Sequence, residues 1–519
     1  MPEESHAFPP LIRSLLSHAE CYPHPVGRIR LEETHISWVI LTGDYAYKIK
    51  KPVDFGFLDF TTLSNRRRYC EEELRLNRRL AGELYIDVVR ISGSAEAPTI
   101  AGSGQVIEYA VRMHQFSASA LASDPLQMNR FTGDQLDDLA VRLAQFHQSI
   151  GRSSSANQRG GSRGAHRAVL ENFAVIKERC ADPNDLAHIA SLECWMNDRM
   201  AKYADLLDRR SGAGAVRECH GDLHLGNLVV LDGMLVPFDC IEFSEELRWI
   251  DVMSEIAFLV MDLEFHGLRH LAWRFLNRYL TATGDYEGLP LLRYFLIYRA
   301  MVRAKIALLS AGTGIGEVEA RQRFRPYLQY GMDLTKESAA GLMILHGFSG
   351  SGKSVLAGLI AEWLPAIWLR SDVERKRLAP QEDRPEQRYA PEQTERTYER
   401  LSQLAGVVVQ SGYPVVVDAT FLQSKYRQQM KMVASSCDAP FVIIDIQCPI
   451  VTMRQRVEER SRVGTDPSEA TVAVLAHQLP SAEPLEPAEN EVVWVVSGDT
   501  PFDRQAALSE LRSRLRLND

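Results

Sequence analysis

After residue 341 the chain falls into five short apolar runs, "GLMILHG", "AIWLRSD", "PVVVDAT", "PFVIIDIQC" and "EVVWVVSG", separated by helical patterns. Strands that are apolar on both faces need cover on both sides. Alternation with helices supplies that cover and specifies a parallel sheet between helical layers. This part of the chain therefore reads as an α/β domain.

Within it, "GFSGSGKS", residues 347 to 354, fits the pattern G-x-x-x-x-G-K-[ST]. The motif follows the strand-like "LMILH" and opens the helix "KSVLAGLIAEWL", which is the context its chemistry requires. Gly347, Gly350 and Gly352 let consecutive backbone N–H groups, including those of Ser349 and Ser351, wrap phosphates. The helix N-terminus adds positive potential there. Lys353 would reach the terminal phosphates of ATP, and Ser354 would ligate Mg²⁺.

Later residues separate a kinase from a mechanical ATPase. "WLRSDVERKRL" ends a strand with Asp372, a candidate base for an acceptor hydroxyl. Arg375, one turn on, would hold an anionic acceptor. Asp418 in "VVVDATF" suits the surroundings of the metal. "MRQRVEERSRVGTD" carries Arg454, Arg456, Arg460 and Arg462. Arg456 and Arg460 are four apart and share a helix face, which suits them to neutralising a transferring phosphoryl group. "SAEPLEPAEN", 481 to 490, reads as an acidic connecting loop.

The first part of the chain has a different texture. "GRIRLEETH", "SWVILTG" and "AYKIKK" read as strands, and "NRRRYCEEELRLNRRLAGEL" as a helix. "GQVIEYAVRM" reads as another strand. From about 134 to 330 the pattern is mostly helical, broken by the Gly-, Ser- and Arg-rich 151 to 164, expected as a mobile surface loop. "HGDLHLGN", 220 to 227, and "FDCIEF" shortly after it hold Asp222, Asn227 and Asp239. That spacing fits metal-assisted phosphoryl transfer, with one carboxylate taking a hydroxyl proton and the Asn and second Asp holding Mg²⁺. His220 and His224 read as buttresses of the loop. A zinc site with Cys219 lacks a spaced fourth ligand.

At these residues the chain resembles the aminoglycoside phosphotransferase and choline kinase-like group, relatives of protein kinases, over roughly 27 to 330. The resemblance implies Asp222 as catalytic base and Asn227 and Asp239 as metal ligands. It implies Lys48 on the nucleotide phosphates, Glu73 as that lysine's partner, and "EYAVRMHQF" as the hinge beside adenine. No Gly-rich loop precedes the lysine, so Ser37 and backbone amides are the candidate phosphate contacts there. Lys50 shares the strand face of Lys48, and Glu71 and Glu72 compete with Glu73. Residues 341 to 515 resemble P-loop kinases of the polynucleotide 5′-kinase, zeta toxin and gluconate kinase group. The order of the two halves resembles bacterial fusions of a phosphotransferase domain with an AAA-family ATP-binding domain.

These readings divide the chain at 335. Residues 1–335 form an α+β protein-kinase-like domain, with a small lobe over 27–116 and a helical lobe over 117–330. Residues 336–519 form an α/β P-loop kinase domain whose parallel sheet is covered by helices. A net charge of −9 over 519 residues argues against a general nucleic-acid binder. The eight cysteines contain no C-x-x-C pair, as expected for reduced thiols in the cytoplasm. "WIDVMSEIAFLVMDLEF" is broken by four acidic residues and reads as a buried helix, with no membrane span. The expectation is a bifunctional kinase that uses ATP and Mg²⁺ on small hydroxyl acceptors. Two alternatives are a single enzyme regulated by the other half, and a toxin-like or nucleic-acid end kinase in the C-terminal half. The acceptors and the oligomeric state are not legible.

Overall fold

The computed structural model describes residues 8–56, 58–152, 160–311, 315–336, 340–379, 390–463, 471–500 and 502–517. The chain separates into two compact units. One holds Met1–Gln135, Gln145–Ala165 and Ala204–Glu255, and the other holds Leu136–Ala144, His166–Tyr203 and Ile256–Asp519.

The first unit is built on a six-stranded antiparallel sheet of β1 (Arg30–Glu33), β2 (Ser37–Leu41), β3 (Tyr45–Lys50), β4 (Tyr85–Gly93), β5 (Pro98–Ile100) and β6 (Val106–His114). Its order is β1-β2-β3-β6-β4-β5. Side chains alternate across a strand, so Tyr47 and Ile49 of β3 enter an apolar core with Ile12, Leu15, Ile40 and Ile91. The opposite face receives Ala46, Lys48 and Lys50. There Ala46 joins Cys70, Tyr85 and Val111 in a second core.

Helix α1 (Leu63–Ala81) covers that face. Thr62 caps it, its hydroxyl accepting the Asn65 N–H, and Arg66, Cys70, Glu73, Asn77 and Ala81 form its buried stripe. Spacings of three and four put these residues on one side, so Glu73 is aimed at β3. The β4–β5 hairpin was not anticipated from the sequence. Beyond the sheet, β7 (Val216–Glu218) pairs with β10 (Trp249–Asp251), and β8 (Leu228–Leu231) pairs with β9 (Met234–Pro237). The β8–β9 hairpin separates Asn227 from Asp239.

Part of the expected loop at 151–164 is helical, since a helix begins at Ser162 and runs to Arg179. Asp208 caps it from outside, accepting the Ser162 N–H at 2.9 Å and its hydroxyl at 3.0 Å. A remote cap leaves no signature in the local sequence. Residues 153–159 lie outside the described ones. The apolar stretch near 252 forms the helix Val252–Phe265. No helix among the described residues is long and apolar enough to cross a membrane.

In the second unit, β11 (Leu342–His346), β12 (Ile367–Arg370), β13 (Val415–Asp418), β14 (Phe441–Gln447) and β15 (Val493–Ser497) make a parallel sheet ordered β12-β13-β11-β14-β15. All five apolar runs are strands. The helices used below are α2 (Arg269–Thr283), α3 (Lys353–Trp363), α4 (Ser371–Leu378), α5 (Pro391–Gln410) and α6 (Ile450–Val463). Met343, Leu345, Leu356, Ile360, Ile444 and Leu511 centre the core between sheet and helices. The stretch 481–490 is more than a connector. Its Glu489 is buried and bridges at 2.8 Å to Arg427, whose side chain is fully buried.

Candidate active sites

In the first unit a charge network links β3, α1 and the segment after β9. Glu73, fully buried, holds Lys48 at 2.8 Å through one oxygen and Lys50 at 2.8 Å through the other. Lys48 also meets Asp239 at 2.5 Å, while Lys50 is ion-paired with buried Glu242. Burial disfavours the ammonium of each lysine, but the facing carboxylates prevail, so both lysines titrate above their ordinary range. Glu73 is likewise penalised by burial, yet the two ammonium groups hold it down to about 2. Glu242 is pushed up, chiefly by burial. Stripping one member from a buried pair leaves an uncompensated charge and costs about 3–5 kcal/mol.

The competing residues fall apart in space. Glu71 pairs with Arg67 on the exposed side, and Glu72 with Arg75 and Arg248. Only Glu73 lies on the buried stripe. Of the two lysines, Lys48 alone reaches Asp239 among the described contacts, and Lys50 is enclosed. Glu242 went unread in the sequence although it stands three residues after Asp239. Its partner, 192 positions earlier, is visible only in the fold. Ser37 is fully buried opposite Lys50, with its hydroxyl unpartnered among the described residues.

The segment 220–227 is braced from behind. Glu255 accepts the N–H of His220 at 2.7 Å and of Gly221 at 3.0 Å. His220 Nε2 meets the Phe238 carbonyl at 2.8 Å, tying the loop to the strand end before Asp239. Burial opposes the His220 imidazolium, but Cys240, Glu255 and Asp222 raise it to about 9. Asn227 Nδ2 donates to the Asp222 carbonyl at 3.0 Å and to its Oδ2 at 2.8 Å. Asp239 has a positive φ of 62°, and its N–H donates to the Tyr85 hydroxyl at 3.2 Å. Asn77 takes the next N–H, that of Cys240, at 2.9 Å. These devices turn the side chains of Asp222 and Asp239 toward solvent, with a third or more of each exposed.

His147, Cys219 and Glu255 converge to within 4.8 Å behind the loop. Both Glu255 oxygens already accept backbone N–H groups. Burial and the nearby cations Arg217 and Arg79 push His147 down to about 3. Positive surroundings oppose a bound cation, so this cluster reads as a buttress. By contrast, Asp222, Asn227 and Asp239 offer partly exposed oxygen donors, the set a hard divalent cation takes.

In the second unit, Gly347, Gly350 and Gly352 all have positive φ, and Gly352 caps α3. A Cβ on Gly350 would sit 2.5 Å from the Met453 carbonyl oxygen, so the loop has no room for a side chain there. The Ser349 N–H donates to Gln478 at 3.1 Å, and Ser351 is buried beneath the loop. Lys353 folds back to the Phe348 carbonyl at 2.6 Å. Burial brings it down to about 8, Asp418 and Asp372 pulling the other way and Arg460 adding to the depression. Asp418 is raised by burial, moderated by Arg370, Lys353 and a hydrogen bond with Ser354. Lys353, Ser354, Asp372, Asp418 and Arg460 thus lie in one electrostatic neighbourhood.

Arg370 was missed in the sequence. It stands opposite Asp418 across the β12–β13 ladder. Asp372 pairs with Arg375 at 2.7 Å, so the candidate base and the candidate acceptor ligand contact each other. Arg456 donates to the Gly498 carbonyl at 2.7 Å, while Arg454 and Arg462 are exposed. Residues 464–466 of the expected arginine segment lie outside the described residues.

A pH dependence follows for this site. Phosphates held at Lys353 would favour its ammonium, so nucleotide binding there above about pH 8 would draw in a proton. Affinity should weaken as pH rises from about 8 toward the usual lysine range, by at most about tenfold per unit. In a Lys48→Ala chain, calorimetry at pH 9 in buffers of different ionisation heat should register proton uptake on Mg·ATP binding. At pH 6.5 it should register none, and Lys353→Arg should show none at either pH. Equal uptake in Lys353→Arg would assign the proton elsewhere.

Comparison with known proteins matches residues 57–292 to the phosphotransferase enzyme family and residues 342–485 to an AAA domain. An uncharacterized protein of Mycobacterium tuberculosis strain H37Rv is 28% identical over 485 residues, spanning 90% of this chain and 95% of the relative. One from Mycobacterium bovis matches equally. Among solved structures, amicoumacin kinase hAmiN in complex with AMP-PNP, Ca²⁺ and Ami aligns with 13% identity and a TM-score of 0.39. That alignment covers 61% of this chain and 91% of the kinase. The Mycobacterium tuberculosis APS kinase CysC in complex with AMPPNP and APS aligns with 19% identity and a TM-score of 0.26, over 34% of this chain and 98% of its own.

Proposed function

We propose, from the match of residues 57–292 to the phosphotransferase enzyme family and of residues 342–485 to an AAA domain, that this chain is a bifunctional phosphotransferase. It would have two separate Mg·ATP sites, each passing the γ-phosphoryl group to a hydroxyl of a small acceptor. The observation that supports the reading is that each unit gathers its own buried lysine, neighbouring oxygen donors and a further, partly exposed carboxylate.

At the first site Lys48, held by Glu73, contacts the nucleotide phosphates. Asn227 and Asp239 would hold Mg²⁺, which when bound neutralises phosphate charge. Asp222 accepts the hydroxyl proton as the acceptor oxygen bonds to the γ-phosphorus and the bond to the ADP oxygen breaks. At the second site the loop amides of 347–354 and Lys353 cradle the phosphates. Ser354, with Asp418 behind it, would hold the metal. Asp372 takes the acceptor proton, oriented by Arg375, which also faces an anionic acceptor. Arg456 and Arg460 meet the charge of the transferring group.

The test is stoichiometry followed by turnover. Calorimetry should find two Mg·ATP per chain, reduced to one by Lys48→Ala and to one by Lys353→Ala. ADP release over a panel of sugars, amino alcohols and oligonucleotides should lose one acceptor class with Asp222→Asn and another with Asp372→Asn. A single binding event in the parent chain, or release untouched by both carboxamides, would overturn the two-site reading. Release with oligonucleotides alone would favour an end kinase at the second site.

A further inference from the structure

The second unit contains more than a P-loop domain, because helices between 256 and 335 belong to the same compact body. β12 is an edge strand, paired only with β13 among the described strands. Its open edge meets Asn277 of α2. The buried Asn277 carboxamide accepts the Trp368 N–H at 2.7 Å and donates to the Ala366 carbonyl at 2.9 Å. One side chain thereby supplies the donor and acceptor that a neighbouring strand would supply, fixing the register of the edge.

The strand so held runs without a break into α4, which carries Asp372 on its second residue. The C-terminal end of α2 grips α4 directly. Arg377 donates to the Thr281 carbonyl at 2.7 Å and is ion-paired with buried Glu374. Gly284, with a φ of 75°, makes room for this grip, since a Cβ there would lie 2.8 Å from Arg377 Nε. On the N-terminal side of Asn277, His270 stacks on Trp363 with centroids 4.5 Å apart, and Arg274 bridges to Glu362 at 3.3 Å.

We propose that α2 is a positioning element of the P-loop site, with Asn277 as the residue that sets β12 and hence Asp372. The inference rests on the kinase reading of this half. Asn277 touches no reacting atom. It acts through the strand, so its loss should disturb the turnover step while leaving the phosphate loop, which follows β11, able to hold nucleotide.

The experiment uses the full chain carrying Asp222→Asn, with Mg·ATP as substrate and water as the acceptor. Steady-state hydrolysis is measured beside hydrogen–deuterium exchange. Asn277→Ala should speed amide exchange at 366–378 about tenfold or more, with 347–354 unchanged. It should lower kcat about tenfold while KM for Mg·ATP stays within about twofold. Asn277→Gln, which keeps donor and acceptor, should recover part of both, and Arg377→Gln should loosen 371–378 alone. Normal exchange, or normal kcat, in a folded Asn277→Ala chain would overturn the inference. If that variant does not fold, tight exchange and full kcat in Arg377→Gln would do so. A parent chain with no turnover on water or on any acceptor of the panel would remove the kinase reading itself, while the exchange data still read the clamp.

Discussion

Asp222→Asn should lower transfer at the first site by about 10²–10⁴-fold, the contribution of a positioned general base, while Mg·ATP affinity stays close to that of the parent. The substitution is nearly isosteric. It preserves an oxygen to accept from Asn227 Nδ2, now 2.8 Å from Asp222 Oδ2, so the loop keeps its shape. What disappears is the capacity to take a proton. Asp222→Ala should behave differently, because it removes the oxygen that holds Asn227 and so disturbs a proposed metal ligand as well. Its loss should therefore appear in nucleotide affinity and in turnover together. The comparison is made in a Lys353→Ala chain, by ADP release with the best acceptor from the panel and by calorimetry. Full turnover in Asp222→Asn would remove the carboxylate from the mechanism.

What the sequence made legible here followed from order and spacing. Asp222, Asn227 and Asp239 lie within 18 positions of one another, and a short segment cannot easily separate its own residues in space. The P-loop is more local still, and its strand and helix context is written beside it. The choice among Glu71, Glu72 and Glu73 was open in sequence because three adjacent glutamates differ only by 100° steps around a helix. The buried stripe of α1 resolves it. Glu242 and Asn277 were illegible for another reason. Each is defined by a partner far along the chain, Lys50 at 192 positions and Ala366 at 89, and neither pairing leaves a periodic trace. In the β4–β5 hairpin, β5 is only three residues long, too short for alternation to register, and the nine residues of β4 do not alternate cleanly in burial.

Arg460→Ala should lower kcat at the second site by about 10³-fold, the low end for an arginine acting on a transferring phosphoryl group. The argument separates four arginines that look alike in sequence. Arg454 and Arg462 are exposed, and their alanine variants should change kcat by less than about twofold. Arg456 is tied to the Gly498 carbonyl at 2.7 Å. Gly498 abuts the loop so closely that a Cβ would fall 2.3 Å from the Ser351 carbonyl oxygen. Losing Arg456 should therefore loosen the floor of the phosphate loop and raise KM for Mg·ATP along with lowering kcat. Arg460 instead acts on Lys353 through its charge, helping to depress that ammonium. Removing it should let the Lys353 titration move up from about 8, so the weakening of Mg·ATP binding should begin at higher pH. A kcat loss without that upward shift would place Arg460 on the phosphoryl group but away from the lysine. An upward shift with normal kcat would leave it a neighbour of the site and no part of the transfer.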